Sequence, residues 1–318
     1  MKKILILGGT GFVGRHLCEK LVEAQCSVTV VTRRRANARH LLMLPMLEVV
    51  EADAYDSATL ARLLAGHDAV VNLVAILHGS EEAFEKAHVQ LPQTLARACE
   101  ASGVRRIVHV SALGASLTSA SKYQRSKARG EAVLISSELD VTVLRPSVIF
   151  GAGDKFLNTF AGLQQFFPVI PLAGSRARFQ PVWVEDVASA LLRCLQDSST
   201  IGQIFEICGP EVFTLRQLVE LAGCWAGING GKGRPVLALP AALARLQAAL
   251  MELAPGEPLL SRDNLDAMKT DNVATGWLPG LQALGITPAA LAAIAPSYLG
   301  AQGLRSGLMA KRKTAGRF

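Results

Sequence analysis

The sequence contains no Cys-x-x-Cys pair, no His/Cys group at zinc spacing, few aromatic residues and no uninterrupted membrane-length hydrophobic run. Its six cysteines (Cys18, Cys26, Cys99, Cys194, Cys208 and Cys224) are scattered over 318 residues. They therefore indicate neither a disulfide framework nor a thiolate metal centre, and read as small hydrophobes in a reducing compartment, with no metal expected. The three tryptophans and three tyrosines are dispersed, and the basic clusters TRRRANARH (32–40) and AKRKTAGRF (310–318) lack the interleaved aromatics of a nucleic-acid surface, so no nucleic-acid partner is expected. No charge falls between Asn272 and Leu304. Pro279, Pro288 and Pro296 with Gly276, Gly280 and Gly285 cut that stretch into pieces too short to satisfy their own backbone in lipid. No leader is expected, since MKKILILGGTGFVG reaches glycines after four apolar residues, and Met1 reads as the start of the folded chain.

What is present is a globular composition, 50% hydrophobic and 19% charged, with a formal net charge of +7. One large core or two modest ones can form. The net charge calls for an anionic partner, and the basic tail beside an Ala/Leu-rich stretch suits an acidic lipid surface, against the plainer reading of a solvated end. A cytoplasmic protein, in the alternative peripheral on the inner face of a membrane, is expected.

Apolar runs alternate with helical spacing from the first residues: KILILGG, then RHLCEKLVEAQ, then SVTVVTR. This strand, helix, strand unit continues through LEVVEAD, SATLARLLAGH (with Ser57 as helix cap), AVVNLVA, QLPQTLARACEASG, RIVHVSA, KYQRSKARGEAVLISS and VTVLRPSVIF. Strands that read as continuous apolar runs belong in a parallel sheet covered on both faces, so the expected class is α/β, a doubly wound parallel (Rossmann) sheet with a second, smaller, mostly helical C-terminal domain. Residues 1–150, joined by 181–210, form the expected dinucleotide-binding domain. Residues 151–180 and 211–318 form the expected smaller substrate or partner domain and basic tail. Within it, ALPAALARLQAALMELAP (238–255) reads as a helix with a core-facing apolar stripe, its composition suiting a partner or an apolar pocket wall as well.

The chemistry starts at GGTGFVG. Gly8, Gly11 and Gly14 sit at a strand-to-helix turn, where glycine permits close backbone approach and the first helical residues, Phe12 and Val13 among them, offer N–H groups to a pyrophosphate. The second strand then ends in Thr32, Arg33 and Arg34 where an acid for a ribose 2′-hydroxyl is usual, so a 2′-phosphate and hence NADP(H) is favoured, with NAD(H) the open alternative. Asp53 and Ala54 close the third strand where the adenine would lie, and NLVA (72–75), with Val74 and Ala75, lies where the fourth strand would pass the cofactor.

VSALGAS (110–116), Tyr123-x-x-x-Lys127, LRPSVIFGAGD (144–154) and QPVWVEDVA (180–188) resemble the short-chain dehydrogenase/reductases of the extended or atypical, epimerase/dehydratase-like kind, over nearly the whole chain. LRPSVIFGAGDKFLNTFA with LSRDNLDAMKTDNV (260–273) resembles more narrowly the branch holding the nucleotide-binding accessory subunit of respiratory complex I and its bacterial relatives. The resemblance places Ser111, Tyr123 and Lys127 on catalytic positions, with Tyr123 and Lys127 also against the cofactor, and puts Pro146, Ser147 and Val148 near the nicotinamide. Tyr123 and Lys127 are one helical turn apart, so the ammonium can lower the phenol pKa. Three readings stay open: an NADP(H)-dependent oxidoreductase acting on a small or isoprenoid-like carbonyl or hydroxyl substrate, a catalytically silent accessory or assembly factor of a respiratory or quinone-related membrane complex, and a nucleotide-sensing module.

Overall fold

The computed structural model describes residues 2–253, 256 and 258–300; the basic tail at 310–318 lies outside them. The described residues divide into two compact units, the first taken from the stretches up to Pro146, Val184–Ile207 and Ala274–Thr287, the second from Ser147–Trp183, Cys208–Val273 and the stretch from Pro288 on.

In the first unit the apolar runs become β1 (Lys3–Leu7), β2 (Ser27–Thr32), β3 (Leu47–Glu51), β4 (Ala69–Asn72), β5 (Arg106–Val110) and β6 (Asp140–Pro146). The helices between them are α1 (Phe12–Glu23), α2 (Ser57–Leu64), α3 (Glu81–Glu85), which runs through a π-turn at Lys86–Gln90 into α4 (Leu91–Ser102), and α5 (Lys122–Ile135). Strands β7 (Ile149–Phe150), β8 (Ile170–Leu172), β9 (Arg178–Phe179) and β10 (Val182–Trp183) and helix α6 (Leu157–Phe166) belong to the second unit, after which α7 (Val184–Gln196) and β11 (Ile204–Ile207) return to the first. The seven-stranded sheet runs β3-β2-β1-β4-β5-β6-β11, every pair parallel. It is the doubly wound sheet expected from the apolar runs, and its order reverses between β1 and β4.

Strand β4 is buried at all four positions and β1 at four of five, as a sheet covered on both faces requires. Leu60, Leu64, Leu91, Leu95 and Cys99 pack under Leu5, Val70 and Ile107. Asp56, rather than Ser57, caps α2: its carboxylate accepts from the Ala58 N–H at 3.2 Å and from the Thr59 hydroxyl at 2.6 Å. Both residue types cap helices, and here each of the two Asp56 carboxylate oxygens takes one donor. Segment Ala274–Thr287 is tied to the sheet by Glu206, whose carboxylate accepts from the Thr275 N–H (2.6 Å) and hydroxyl (2.9 Å). The cysteines are free thiols, all buried except Cys224, and burial pushes Cys18, Cys99 and Cys194 up to about 12.

The second unit adds β12 (Phe213–Thr214), α8 (Leu215–Trp225), β13 (Val236–Ala238), α9 (Ala241–Glu252), α10 (Arg262–Ala267) and α11 (Leu291–Leu299). Phe150, Leu157, Leu218, Leu291 and Ala295 form its core. Helix α9 corrects the expected core-facing stripe: Ala244 and Ala248 face inward, whereas Leu243, Leu246 and Leu250 are 53%, 57% and 61% exposed. Small side chains allow close packing, and the leucines occupy the opposite arc. Among the described residues no helix is long and apolar enough to cross a membrane.

Candidate functional site

Strand β1 delivers the chain to Gly8, whose φ of +81° favours glycine. A Cβ at Gly8 would lie 3.0 Å from the Leu73 carbonyl carbon, and one at Gly14 only 2.5 Å from the Gly9 Cα. The turn is therefore closed on the segment after β4 and on its own helix, with no room for side chains. Gly11 donates to the Gly8 carbonyl at 3.0 Å and caps α1 without a side-chain acceptor, so the first-turn N–H groups of Phe12, Val13 and Gly14 take nothing from the cap. That donor set at the reversal of strand order is what a dinucleotide pyrophosphate needs.

Thr32 ends β2 with its hydroxyl on the Arg34 carbonyl at 3.2 Å. Arg35 turns back to β3, its N–H on the Glu51 carboxylate (2.6 Å) and its guanidinium on the Val49 carbonyl (3.3 Å), while Arg33 and Arg34 are exposed beside it. Asp53 accepts from the Tyr55 N–H at 3.0 Å, which shapes the turn carrying Ala54. Val74 donates to the Asn72 side chain at 3.1 Å, fixing the Val74–Ala75 segment against Gly8.

Ser111 follows β5. It is 4% exposed, its N–H donates to Leu144 at 2.7 Å, and its hydroxyl has no hydrogen-bond partner among the described residues. Lys127, 1% exposed, donates to the carbonyl of Val110, the residue before Ser111, at 2.8 Å. Ser121 starts α5 by accepting from the Gln124 N–H at 3.2 Å, which sets Tyr123 on the first turn. Burial pushes the Tyr123 phenol up to about 12, opposite to the lowering expected from its spacing to Lys127. Lys127 itself is held down to about 8 by burial, with the Glu131 carboxylate one turn on working against that. Pro146 ends β6 and accepts from Leu113 at 2.9 Å. In the second unit, Ser147 donates its hydroxyl to the Asn272 side-chain oxygen at 2.6 Å, and Val148 its N–H to the same atom at 3.2 Å.

One buried group had no sequence motif to announce it. His88, in the π-turn, accepts from the Ile76 N–H at Nε2 (3.1 Å) and meets the Ser126 hydroxyl at Nδ1 (2.8 Å). Its ring stacks on Phe84 and stands edge-on to Tyr123, centroids 5.5 Å apart. Its partners come from three separate stretches of chain, so nothing local could have revealed it.

Residues 8–198 match the family model described as NAD(P)H-binding. The chain belongs to the NAD(P)H-binding family. Subunit 9 of the mitochondrial NADH dehydrogenase [ubiquinone] 1 alpha subcomplex of Mus musculus is 32% identical over 295 residues, 90% of this NAD(P)H-binding chain and 76% of that protein. The ceramide reductase of Caulobacter vibrioides is 30% identical over 191 residues, 59% of each. A nucleoside-diphosphate-sugar epimerase from Staphylococcus aureus superposes with a TM-score of 0.73 at 15% identity, over 94% of this chain and 99% of that one, a likeness of fold alone. The resemblance to epimerase-like short-chain folds and to the complex I subunit branch thus holds for this NAD(P)H-binding chain.

Proposed function

We propose that the chain is an NADP(H)-dependent oxidoreductase in which Tyr123 exchanges a proton with a carbonyl or hydroxyl substrate, Ser111 orients that oxygen and Lys127 holds the nicotinamide ribose. The observation that carries this reading is the Ser111 hydroxyl. A buried hydroxyl without a partner costs free energy, and this one sits beside the lysine-held end of β5, suited to a ligand oxygen. The nicotinamide would supply or accept the hydride when bound. The chain's own residues supply the proton, the polar cradle and the glycine turn. The test is NADPH oxidation by the purified protein against apolar and isoprenoid-like aldehydes and ketones, with Ser111→Ala expected to lower turnover by roughly 10²-fold or more; a wild type that turns over none of them sinks the reading.

A second reading is favoured by the mouse relative, a respiratory-enzyme subunit matched over 90% of this chain. The protein would then hold its nucleotide without turnover, as an accessory or assembly factor on a membrane respiratory or quinone-related complex. Copurification with such a complex, and NADP(H) released on denaturation of a protein that oxidises no substrate, would support it.

The 2′-phosphate preference rests on Arg33 and Arg34, exposed where β2 ends. Calorimetry should show the double Arg33→Ala/Arg34→Ala change weakening NADPH by about 1.5 to 3 kcal/mol with NADH hardly altered. Equal wild-type affinities for the two would refute the preference.

Lys127 gives the site a pH signature. Its folded pKa of about 8 lies below the ordinary 10.5, so the free protein loses this charge as pH rises through 8. NADPH affinity should fall above pH 8, by up to about tenfold per unit. Between pH 8 and 10.5 the unfolded chain binds the extra proton, so Lys127's contribution to stability rises over the same window. Titration calorimetry at pH 7, 8, 9 and 10 should show that fall in affinity, and a flat affinity would remove Lys127 from the nucleotide; in thermal melts the Lys127 gain is opposed above about pH 9 by the buried thiols of Cys18, Cys99 and Cys194, which keep their protons in the folded chain and lose them in the unfolded one.

Membrane proximity is assigned to the C-terminal basic segment with Lys311, Arg312, Lys313 and Arg317. Flotation with acidic liposomes at low ionic strength should be lost on adding salt and on truncation after Gly307. Salt-insensitive or absent flotation would leave the segment without that role.

A further inference from the structure

We propose that His88 is the positioning residue of the nucleotide site, a neutral imidazole carrying its proton on Nδ1 that clips the segment after β4 to the Tyr123 helix. This rests on the dinucleotide site of the reading above and is independent of hydride transfer.

The tautomer follows from proton counting. The Ile76 backbone N–H can only donate, so the Nε2 atom facing it at 3.1 Å must carry a lone pair. A neutral ring then has its proton on Nδ1, which donates to the Ser126 hydroxyl at 2.8 Å. Ser126 completes the chain by donating its own proton to the Tyr123 carbonyl at 2.7 Å. Every proton in the relay has one place to go, and a protonated ring would set N–H against N–H at Ile76. The cationic and titratable neighbours act in the same direction: burial and the Lys127 ammonium hold His88 down to about 3, and the buried His109, on the neighbouring strand, is itself pushed well below its ordinary value. Tyr123, the other titratable group against the ring, stays neutral, with its phenol pushed up to about 12.

Two further contacts give the clip its mechanical meaning. On one side the segment after β4 touches the glycine turn, where a Cβ on Gly8 would come within 3.1 Å of the Val74 nitrogen. On the other the His88 main chain touches α5, where a Cβ on Gly130 would lie 1.9 Å from the His88 carbonyl oxygen. The π-turn supplies one extra residue per turn at this point, which brings the imidazole in between the two. The pyrophosphate turn, the segment after β4, His88 and the Tyr123 helix thus form one hydrogen-bonded and close-packed series. In that series His88 sets the spacing between the pyrophosphate and the phenol.

The test uses the full chain without nucleotide, then with NADPH. Nitrogen-resolved imidazole spectra should show His88 as the Nδ1–H tautomer throughout pH 8 to 5; an Nε2–H tautomer, or protonation within that range, overturns the assignment. His88→Asn keeps a donor towards Ser126 and loses the acceptor for Ile76. It should speed Ile76 amide exchange at least about tenfold and weaken NADPH binding by about tenfold. Ser126→Ala, which leaves the imidazole in place, should speed Ile76 exchange by a smaller factor and serves if the asparagine variant does not fold. Faster Ile76 exchange with NADPH affinity unchanged means the clip does not position the nucleotide, and unchanged exchange means there is no clip. None of these readouts requires a substrate, so they separate this proposal from the oxidoreductase reading.

Discussion

Replacing Tyr123 with phenylalanine should leave NADPH affinity within about twofold of wild type and cut turnover of the substrate by roughly 10²- to 10⁴-fold, the range of a lost proton donor. The ring's packing against Phe84 and His88 survives that change, because it uses the faces and edges of the aromatic system and not the hydroxyl. Lys127→Ala should behave differently. It removes the ammonium that holds the Val110 carbonyl at 2.8 Å and leaves that carbonyl in a buried site without its donor, so NADPH affinity and turnover should fall together. A Tyr123→Phe protein with unchanged turnover would take the phenol out of the chemistry, and a Lys127→Ala protein with wild-type NADPH affinity would take the lysine out of the nucleotide site. The phenol's pKa of about 12 in the free protein sharpens the comparison. At neutral pH Tyr123 is protonated, ready to donate in the direction of carbonyl reduction, and oxidation should need a higher pH.

Gly130→Ala should lower stability by about 3 kcal/mol, while the same change at Gly162 should raise it by about 0.4 to 1 kcal/mol. Both glycines lie inside helices, α5 and α6. At Gly130 the new methyl would sit 1.9 Å from the His88 carbonyl oxygen, a backbone atom that cannot rotate away; at Gly162 nothing lies within 4 Å. Helix propensity favours alanine at both sites, so the difference in sign isolates the close approach of α5 to the π-turn. Urea melts of the two variants would measure it, and a Gly130→Ala protein as stable as wild type would show that α5 moves freely away from His88.

The sequence made the sheet legible because burial on both faces writes strands as unbroken apolar runs, as in KILIL and AVVN, and the glycine turn is local: its three glycines, its strand and its helix lie within about twenty residues. Even β11, distant in sequence, could be recognised from its apolar character as a strand fit to join the sheet. Two-residue ladders such as β9 with β12 carry no period and left no trace. The outward leucines of α9 defeated the pattern for another reason: a stripe fixes which residues share a helix face, and says nothing of whether that face meets protein. The π-turn and His88 were invisible because their meaning depends on Ile76 and Ser126, twelve and thirty-eight residues away. The depth at which the free protein buries the phenol, which raises its pKa, is likewise not written in the helical spacing of Tyr123 and Lys127.

The return of β11 to the sheet has a consequence for synthesis. When Pro146 leaves the ribosome, β6 is an open parallel edge, and the strand that covers it is encoded about sixty residues later. At 5 to 20 residues per second that edge waits roughly 3 to 12 s, while the first part of the second unit is being made. The segment Ala274–Thr287, anchored on Glu206, arrives later still. An exposed strand edge of this kind is where nascent chains pair wrongly with one another, so a gene fragment ending near residue 150 should be far less soluble than the full chain despite containing every glycine of the nucleotide turn.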